Sequence, residues 1–308
     1  MDYTTLGRTG LKVSRLAFGA GPIGYLGSTQ DEASRVLNRL LDQGVTVIDT
    51  AAAYLGSEEL IGKAVGHRRR EFVLVSKCGR QVEEVEGEDW SAQVVARTVD
   101  RSLRRLGTDH LDVMLLHSCK REVLERGEAL GALARAREAG KIRFAGYSGD
   151  NEAAALAVDL PDVDVLMCSL NLCDQVNLDS ALPLAAKAGT GVLAKRAVAN
   201  GAWKPLEAQA GIYRDYARPY AERFQALGLD PRELGGNGPE DWMEIALRFT
   251  LAEPSVHVVS VGTTSLANAE ANLRLVAKGP LPAEAVARIR QAFRDARERS
   301  GAPWPGLT

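Results

Sequence analysis

The stretch SAQVVARTVDRSLRRLGTDHLDVMLLH, residues 91–117, contains one complete helix–turn–strand unit. Ser91 is a residue type that caps helices, and the apolar positions after it recur every three to four residues. Gly107 lies where a helix ends, and the run from Leu111 to His117 is almost continuously apolar. Such runs are typical of parallel strands that are buried on both faces of a sheet. The stretch therefore predicts an α/β fold with parallel strands.

Seven further apolar runs of this kind are spaced along the chain, and helical patterns separate them. They begin at Arg15, Thr46, Phe72, Ile142, Val163, Gly191 and Val256. A strand followed by a helix, repeated eight times, is the pattern of a (β/α)8 TIM barrel, and 308 residues suit one barrel with insertions. We predict a single barrel domain over residues 1–308, with an open doubly wound sheet as the alternative.

Two segments depart from this regular alternation. YTTLGRTGLKVS, residues 3–14, predicts a short N-terminal β-hairpin that turns at Thr9-Gly10, ahead of the first barrel strand. The chain between Trp203 and Val256 is long and polar, which predicts an expanded seventh βα loop with an insertion near 204–240. Long βα loops of a barrel lie over its active face.

Composition argues against several classes of partner. A formal net charge of −2 gives no global field that would recruit nucleic acid or an anionic membrane. The N-terminus is polar, and no run approaches the roughly 18 apolar residues of a membrane span, so we expect a cytoplasmic protein that acts on a small molecule. The four cysteines form no CxxC pair, which favours free thiols over disulfides or a metal site.

The segment Gly19–Gly24 matches the pattern GxGxxG and follows a candidate strand. In a dinucleotide fold this motif opens a helix whose free N–H groups meet the pyrophosphate. Pro22 removes one of those donors, and the next helical pattern starts only near Thr29. We interpret the segment as a turn after the first strand, with a Rossmann-type site as the alternative.

A stronger signal is that polar residues end three consecutive apolar strands. Asp49 ends VTVID, Lys77 ends FVLVSK and His117 ends LDVMLLH, while Tyr54 lies on the loop that leaves the first of these strands. In a parallel barrel all four lie at the C-terminal rim, where barrel enzymes carry their chemistry. Taken singly, Asp49 and Lys77 could form an ion pair at the rim, and His117 could be a core histidine whose hydrogen bonds are satisfied. Their coincidence on consecutive strands favours a catalytic site.

These four residues suit one type of chemistry. A free phenol has a pKa near 10, so it is a weak acid at neutral pH. A nearby ammonium favours the phenolate and lowers that pKa, and a carboxylate keeps the ammonium oriented. A neutral histidine can donate a hydrogen bond to a carbonyl oxygen. Together they could protonate an oxygen while hydride is delivered to its carbon, without a metal ion.

At these residues the sequence resembles the aldo-keto reductase superfamily. The resemblance runs from LGRTGLKVSRLAFG through VIDTAAAYLGSEELIG, VSKCG, SLRRLGTDHLDVMLLH, GKIRFAGYS and LNLCDQ to SVGTTSLANAEANL, which is nearly the whole chain. It implies a (β/α)8 barrel that binds NADP(H), or in some members NAD(H), without a Rossmann fold. It also implies Tyr54 as general acid, Asp49 and Lys77 as the pair that tunes it, and His117 as the group that orients the carbonyl.

The resemblance further implies a set of cofactor contacts. Ser148 and Asn171 match the nicotinamide side, and the loop and helix after the eighth strand match the side that holds the adenosine phosphate. Lys195-Arg196 replaces the family's usual aromatic–serine pair, and Arg196 could stack on the nicotinamide or pair with the diphosphate. The usual basic side chains are missing near Thr264 and Asn268. The candidate residues are Ser148, Asn171, Lys195, Arg196, Gly262, Thr263, Thr264, Ser265, Asn268 and Asn272.

Two classes of function follow. The first is a reductase or dehydrogenase that interconverts a small aldehyde, ketone or sugar carbonyl and its alcohol. The second is a regulatory barrel that binds the cofactor and reports redox state to a partner with little turnover. A cofactor-free isomerase or lyase is a third, weaker alternative. The complete set of four rim residues favours the enzyme.

Overall fold

The computed structural model describes residues 1–307 and contains a closed barrel of eight parallel strands. The strands follow one another around the barrel in chain order, and the last pairs with the first, so the (β/α)8 prediction is confirmed. The barrel strands are β3 (Leu16–Gly19), β4 (Val47–Asp49), β5 (Val73–Cys78), β6 (Leu111–His117), β7 (Ile142–Ser148), β8 (Val165–Ser169), β9 (Gly191–Lys195) and β10 (Val258–Val261).

Helices surround the barrel, and three of them begin at side-chain caps. Thr29 and Glu32 form a reciprocal capping box, and the hydroxyls of Ser91 and Ser265 accept hydrogen bonds from backbone N–H groups three residues on. The helices are α1 (Gly21–Tyr25), α2 (Gln30–Asp42), α3 (Ser57–Val65), α4 (Ala92–Leu106), α5 (Arg121–Arg126), α6 (Glu128–Glu138), α7 (Asn151–Asp159), α8 (Ala181–Ala188), α9 (Tyr213–Leu227), α10 (Trp242–Leu251), α11 (Leu266–Val276) and α12 (Ala283–Ser300).

The predicted hairpin closes the amino-terminal end of the barrel. It consists of β1 (Tyr3–Thr5) and β2 (Lys12–Ser14), which pair antiparallel. Leu6, Leu11 and Val13 are buried in the same apolar cluster as the inward-facing residues of the barrel strands. The hairpin therefore seals this end, and the C-terminal rim is left for chemistry.

Inward-facing residues of each barrel strand alternate along the chain with residues that face the helices. From the closed amino-terminal end to its middle, the barrel interior is apolar. The apolar cluster there includes Val47, Val75, Leu115, Met167 and Val258. Two residues further along each of these five strands the sequence turns polar. The alternation therefore directs these polar side chains toward the carboxyl end of the barrel interior: Asp49, Lys77, His117, Ser169 and Ser260.

The seventh βα connection is expanded as predicted, because the chain runs from the end of β9 to the start of α10 through α9 and several short 3-10 turns. Near α9, the segment 302–307 also crosses the carboxyl side of the barrel. Asp174 links them, since Tyr220 donates a hydrogen bond to its Oδ2 at 3.0 Å and the backbone N–H of Leu307 donates to the same oxygen at 3.0 Å.

One local prediction was wrong. The segment after β3 forms the five-residue helix α1, where a plain turn and no helix before Thr29 were expected. Pro22 lies within the first two residues of α1, where a missing N–H costs no helical hydrogen bond. The proline that argued against a helix therefore fits its first turn. The closed barrel, rather than an open sheet, disfavours the Rossmann alternative.

Two chain-wide predictions concern membranes and thiols. Across residues 1–307 no helix combines the length and the apolar character that crossing a bilayer requires. All four cysteines are buried free thiols: Cys78, Cys119, Cys168 and Cys173.

Candidate active site

A buried ion pair lies at the base of the site. The Nζ of Lys77 donates to Asp49 Oδ1 and also to the backbone oxygen of Thr50 at 2.7 Å. Lys77 is only 2% exposed and Asp49 only 5%. A buried ion pair is stable only when its geometry and remaining hydrogen bonds are good. Asp49 meets this requirement because its other oxygen, Oδ2, accepts a hydrogen bond from Ser260 at 3.0 Å.

Tyr54 lies directly above this pair. Its loop leaves β4, and Gly56 turns the chain into α3 with a left-handed φ of 65°. The Nζ of Lys77 lies 5.0 Å from the centre of the Tyr54 ring. The ring of His117 meets the same ring edge-on, with centroids 6.0 Å apart. The structure therefore brings together all four residues that the sequence singled out for catalysis.

The pKa of Tyr54 differs from the sequence-based expectation. Burial raises this pKa well above the usual phenol value, and the charge of Asp49 raises it further. The ammonium of Lys77 donates hydrogen bonds to Asp49 and Thr50 and lies over the Tyr54 ring, with no hydrogen bond to the phenol oxygen. Tyr54 is accordingly a protonated phenol in this arrangement, which is the form that a proton donor requires.

His117 lies at the end of β6 in a crowded, positively charged setting. Burial holds its pKa well below the usual imidazole value, and the nearby charges of Lys77, Arg80 and Lys195 act in the same direction. The imidazole is therefore neutral at physiological pH. A neutral imidazole can donate one N–H hydrogen bond to a substrate oxygen without supplying a full positive charge.

The residues predicted on the nicotinamide side occupy the neighbouring strand ends. Ser148 pairs with His117 across β6 and β7 and is buried. Asn171 is buried after β8, where its amide donates to the backbone oxygen of Arg196 at 3.0 Å and accepts from the N–H of Cys173 at 2.8 Å. Ser148 thus reaches the rim beside His117, while Asn171 braces the loops around it.

Lys195 and Arg196 are both held by the protein itself. Lys195 pairs with the buried carboxylate of Asp150 at 3.2 Å. Arg196 donates to the backbone oxygen of Leu307, and its guanidinium lies 5.4 Å from the ring centre of Tyr216. Neither side chain is therefore directed at an open diphosphate position in this structure. The sequence could not show this, because Leu307 lies 111 residues from Arg196.

The start of α11 forms the other end of the candidate cofactor site. Gly262 permits close packing, since a Cβ there would lie 2.3 Å from the oxygen of Gly19. Thr263 accepts from the N–H of Ser265 at 3.0 Å, and Ser265 accepts from the N–H of Asn268 at 3.3 Å. The first two helical residues keep free N–H groups, as every helix start does.

The chemistry of this donor set fits an anion, because hydroxyls and helical N–H groups converge on one helix start. The side chains of Thr264 and Asn268 contribute no positive charge there. Asn272 is buried, and with Thr263 it lines a crevice of about 10 Å³, which is at the limit for one water molecule. Asn272 therefore faces the packing between α11 and the barrel rather than the open rim.

The sequence did not single out Ser260, Tyr25 or Tyr216. Ser260 lies two residues after the interior residue Val258, so strand alternation alone would have directed it inward. The rings of Tyr25 and Tyr54 lie 5.5 Å apart, although Tyr25 is on a helix that the sequence did not predict. No periodicity in the insertion pointed to Tyr216, whose position depends on α9.

A family model described as the Aldo/keto reductase family matches residues 15–294. The chain is 30% identical over 291 residues to L-galactose dehydrogenase of Arabidopsis thaliana, and the match covers 90% of this chain and 88% of that protein. It is 29% identical over 244 residues to D-threo-aldose 1-dehydrogenase of a Pseudomonas species, covering 69% of this chain and 73% of the relative.

A solved structure is similar over the same length. An aldo-keto reductase from Bacillus halodurans, in its holo form, superposes with a TM-score of 0.80 at 28% sequence identity. The match covers 95% of this chain and 96% of that one.

Proposed function

Because the chain belongs to the aldo/keto reductase family, we propose that it is an NAD(P)(H)-dependent oxidoreductase that interconverts a small carbonyl compound and its alcohol. The observation that carries the proposal is the position of Tyr54 above the buried Asp49–Lys77 pair and beside His117. Family membership by itself supports an oxidoreductase; the roles of these residues and the cofactor are our proposal.

A nicotinamide cofactor bound at the rim would supply the hydride chemistry of the proposed reaction, as donor for the carbonyl carbon or as acceptor from the alcohol. Tyr54 donates its phenolic proton to the carbonyl oxygen as that oxygen gains negative charge, and it takes the proton back when the alcohol is oxidised. His117 donates a hydrogen bond to the same oxygen. Lys77 lies under the phenol ring, where its charge stabilises the phenolate that proton transfer leaves behind.

The cofactor would be held at two places on the rim. Ser148 lies beside His117 and would hold the nicotinamide end, together with Asn171 after β8. Thr263, Thr264 and Ser265, with the free N–H groups of α11, would hold the phosphate end. We propose NADP(H), with NAD(H) as the alternative, because this helix start fits an anion but lacks an arginine or lysine.

The substrate class is proposed from the relatives. Two of them are named as sugar dehydrogenases, one for L-galactose and one for a D-threo-aldose. Three further tyrosines lie around Tyr54. The rings of Tyr25 and Tyr54 are 5.5 Å apart, and those of Tyr213 and Tyr216 are 6.4 Å apart. Tyr213 and Tyr216 are near enough to Tyr54 to interact with it electrostatically. Phenol hydroxyls can donate to and accept from substrate hydroxyls. We therefore expect aldoses to be oxidised more efficiently than simple aliphatic alcohols.

The deciding experiment removes one oxygen atom. Tyr54→Phe should lower kcat by at least about 10²–10⁴-fold, because it deletes the general acid. The cofactor Kd from fluorescence titration should stay unchanged, since the phenol is not among the residues proposed to hold the nucleotide. Turnover is measured with a panel of aldoses and carbonyl compounds and both cofactors.

Tyr3→Phe is the matched control, because it deletes the same hydroxyl from the hairpin at the closed end of the barrel. It should leave kcat unchanged. Wild-type kcat in Tyr54→Phe would refute the proposed role of Tyr54.

A further inference from the structure

The carboxylate of Asp49 is hydrogen-bonded on both of its oxygens. Lys77 occupies Oδ1, and the hydroxyl of Ser260 occupies Oδ2 at 3.0 Å. Two partners on different oxygens fix both the position and the rotation of a carboxylate, whereas one partner would leave it free to turn. Ser260 therefore sets the direction in which Asp49 presents its charge to Lys77.

This contact joins two strands that are not neighbours. Ser260 is on β10 and Asp49 is on β4, and β3 lies between them. Two strand spacings amount to roughly 9–10 Å, too far for neighbouring-strand contacts. In a (β/α)8 barrel, however, the side chains of one interior layer come from alternate strands. Ser260 and Asp49 can meet inside the barrel for this reason.

Gly19 leaves the space that the contact needs. It pairs with Asp49 across β3 and β4. A Cβ on Gly19 would lie 2.9 Å from the hydroxyl oxygen of Ser260, closer than real Cβ atoms approach another atom. Gly19 is part of an extended strand, so its value here is the missing side chain rather than backbone freedom.

We propose that Ser260 is a positioning residue for the reaction and that Gly19 is required to keep its hydroxyl against Asp49. Ser260 acts on Tyr54 through Asp49 and Lys77, without touching the substrate. The inference rests on the proposed function, because it presumes that Tyr54 transfers the proton.

The expected effect follows from where the charge of Asp49 is felt. That charge already raises the pKa of Tyr54, second only to burial. A hydrogen bond from Ser260 partly neutralises Oδ2, so its removal should raise the pKa of Tyr54 further. The other charged or titratable groups that face Tyr54 come from β5, β6, the end of β9 and the helices α1 and α9: Lys77, His117, Arg196, Tyr25, Tyr213 and Tyr216.

The test compares the pH dependence of kcat in the holoenzyme. In Ser260→Ala we expect the limb that reports Tyr54 to move up by at most about one pH unit, because the free energy of one hydrogen bond to a charged group sets the upper limit. Oxidation at neutral pH should slow by up to about tenfold, because less of Tyr54 is phenolate. The cofactor Kd should stay within about twofold, because Ser260 lies outside the proposed cofactor contacts.

Ser255→Ala is the matched control. Its hydroxyl also donates to a carboxylate, Glu253 Oε1 at 2.6 Å, but it lies before β10 at the other end of the barrel. It should leave the pH profile unchanged. Ser260→Thr keeps the hydroxyl and should restore most of the wild-type profile.

A second variant tests the spatial argument and does not depend on the folding of Ser260→Ala. Gly19→Ala keeps the serine but places a Cβ 2.9 Å from its hydroxyl, so the limb should again move upward. The same Cβ lies 3.3 Å from the backbone nitrogen of Gly262, so the cofactor Kd is measured alongside. Profiles of Ser260→Ala or Gly19→Ala that coincide with wild type would overturn the inference. If Tyr54→Phe is inactive in that case, the proposed function stands and only the role of Ser260 fails; an active Tyr54→Phe would overturn both.

Discussion

Individual residues at the strand ends carried most of the functional signal. Asp49, Lys77 and His117 were recognisable because each polar residue ends an apolar run, and the barrel brings these ends together. The pKa of Tyr54 was not predictable from types and spacing. This pKa depends on how deeply the ring is buried and on which acceptors Lys77 bonds, and both are properties of the folded site.

Lys77→Met should lower both the stability and the activity of the protein. It leaves the carboxylate of Asp49 buried without its cation, which typically costs about 3–5 kcal/mol of unfolding free energy. It also removes the charge that stabilises the phenolate, so kcat should fall severely and any remaining pH limb should move upward. Denaturant unfolding and pH–rate profiles measure the two effects.

The double variant Asp49→Asn/Lys77→Met supplies the control for that experiment. It removes both charges together, so most of the lost stability should return while kcat stays low. A fully active Lys77→Met enzyme with an unchanged pH profile would show that Lys77 does not tune the donor.

At the scale of elements, helix starts with capping residues were predicted well, whereas α1 and α9 were not predicted. The cap at Ser91 is present as predicted, and Thr29 and Ser265, residue types that favour this position, cap α2 and α11. Helix α9 was missed because it contains Pro219 and lacks a side-chain cap. Local pattern alone could not predict it, because its position depends on tertiary contacts such as the hydrogen bond from Tyr220 to Asp174.

The start of α11 leads to a prediction about cofactor choice. Wild type should prefer NADPH over NADH only modestly, because hydroxyls and N–H groups offer the extra phosphate no charge-assisted, bidentate contact. Thr264→Arg should strengthen that preference by about ten- to a hundredfold, equivalent to roughly 1.5–3 kcal/mol. The measurement is Kd for both reduced cofactors at one salt concentration.

Ala277→Arg is the control for charge alone, since it adds the same group at the other end of α11. It should leave the ratio of the two Kd values nearly unchanged. A wild-type preference for NADPH of a thousandfold or more would mean that another basic residue reaches the phosphate.

For the whole molecule, the barrel followed from the repeated pattern of strands and helices, whereas the contacts between distant segments did not. Asp174 is the clearest case, because it joins the loop after β8 to α9 and to the segment 302–307. These contacts span 46 and 133 residues of chain. Its Oδ1 is buried without a hydrogen-bond partner in the described part of the chain.

This arrangement predicts a pH-dependent stability. Burial raises the pKa of Asp174 to about 6, and the nearby carboxylate of Asp150 adds to the effect. A carboxyl whose pKa is raised on folding favours the folded state at low pH, and that advantage disappears as pH rises through about 6. The loss should be on the order of 2–3 kcal/mol between pH 4 and pH 7.

Asp174→Asn should remove this dependence, because an amide does not ionise. The variant should therefore gain stability relative to wild type as pH rises from 5 to 7.5, as measured by urea unfolding. Asp179→Asn, at an exposed side chain, is the control and should show no such gain. Parallel pH curves for Asp174→Asn and wild type would contradict the prediction.

The hairpin that seals the amino-terminal end has a consequence for proton traffic. Proton hopping requires groups that can both donate and accept a hydrogen bond. Inside the barrel, the space between Leu11 at the closed end and Asp49 at the rim is filled with apolar side chains such as Val47 and Val75. The barrel interior therefore offers protons no path from the rim to its closed end. In the proposed reaction, the protons that Tyr54 releases or regains therefore enter and leave on the rim side of the barrel rather than through its closed end. A seated reactant therefore isolates Tyr54 from the bulk until it departs.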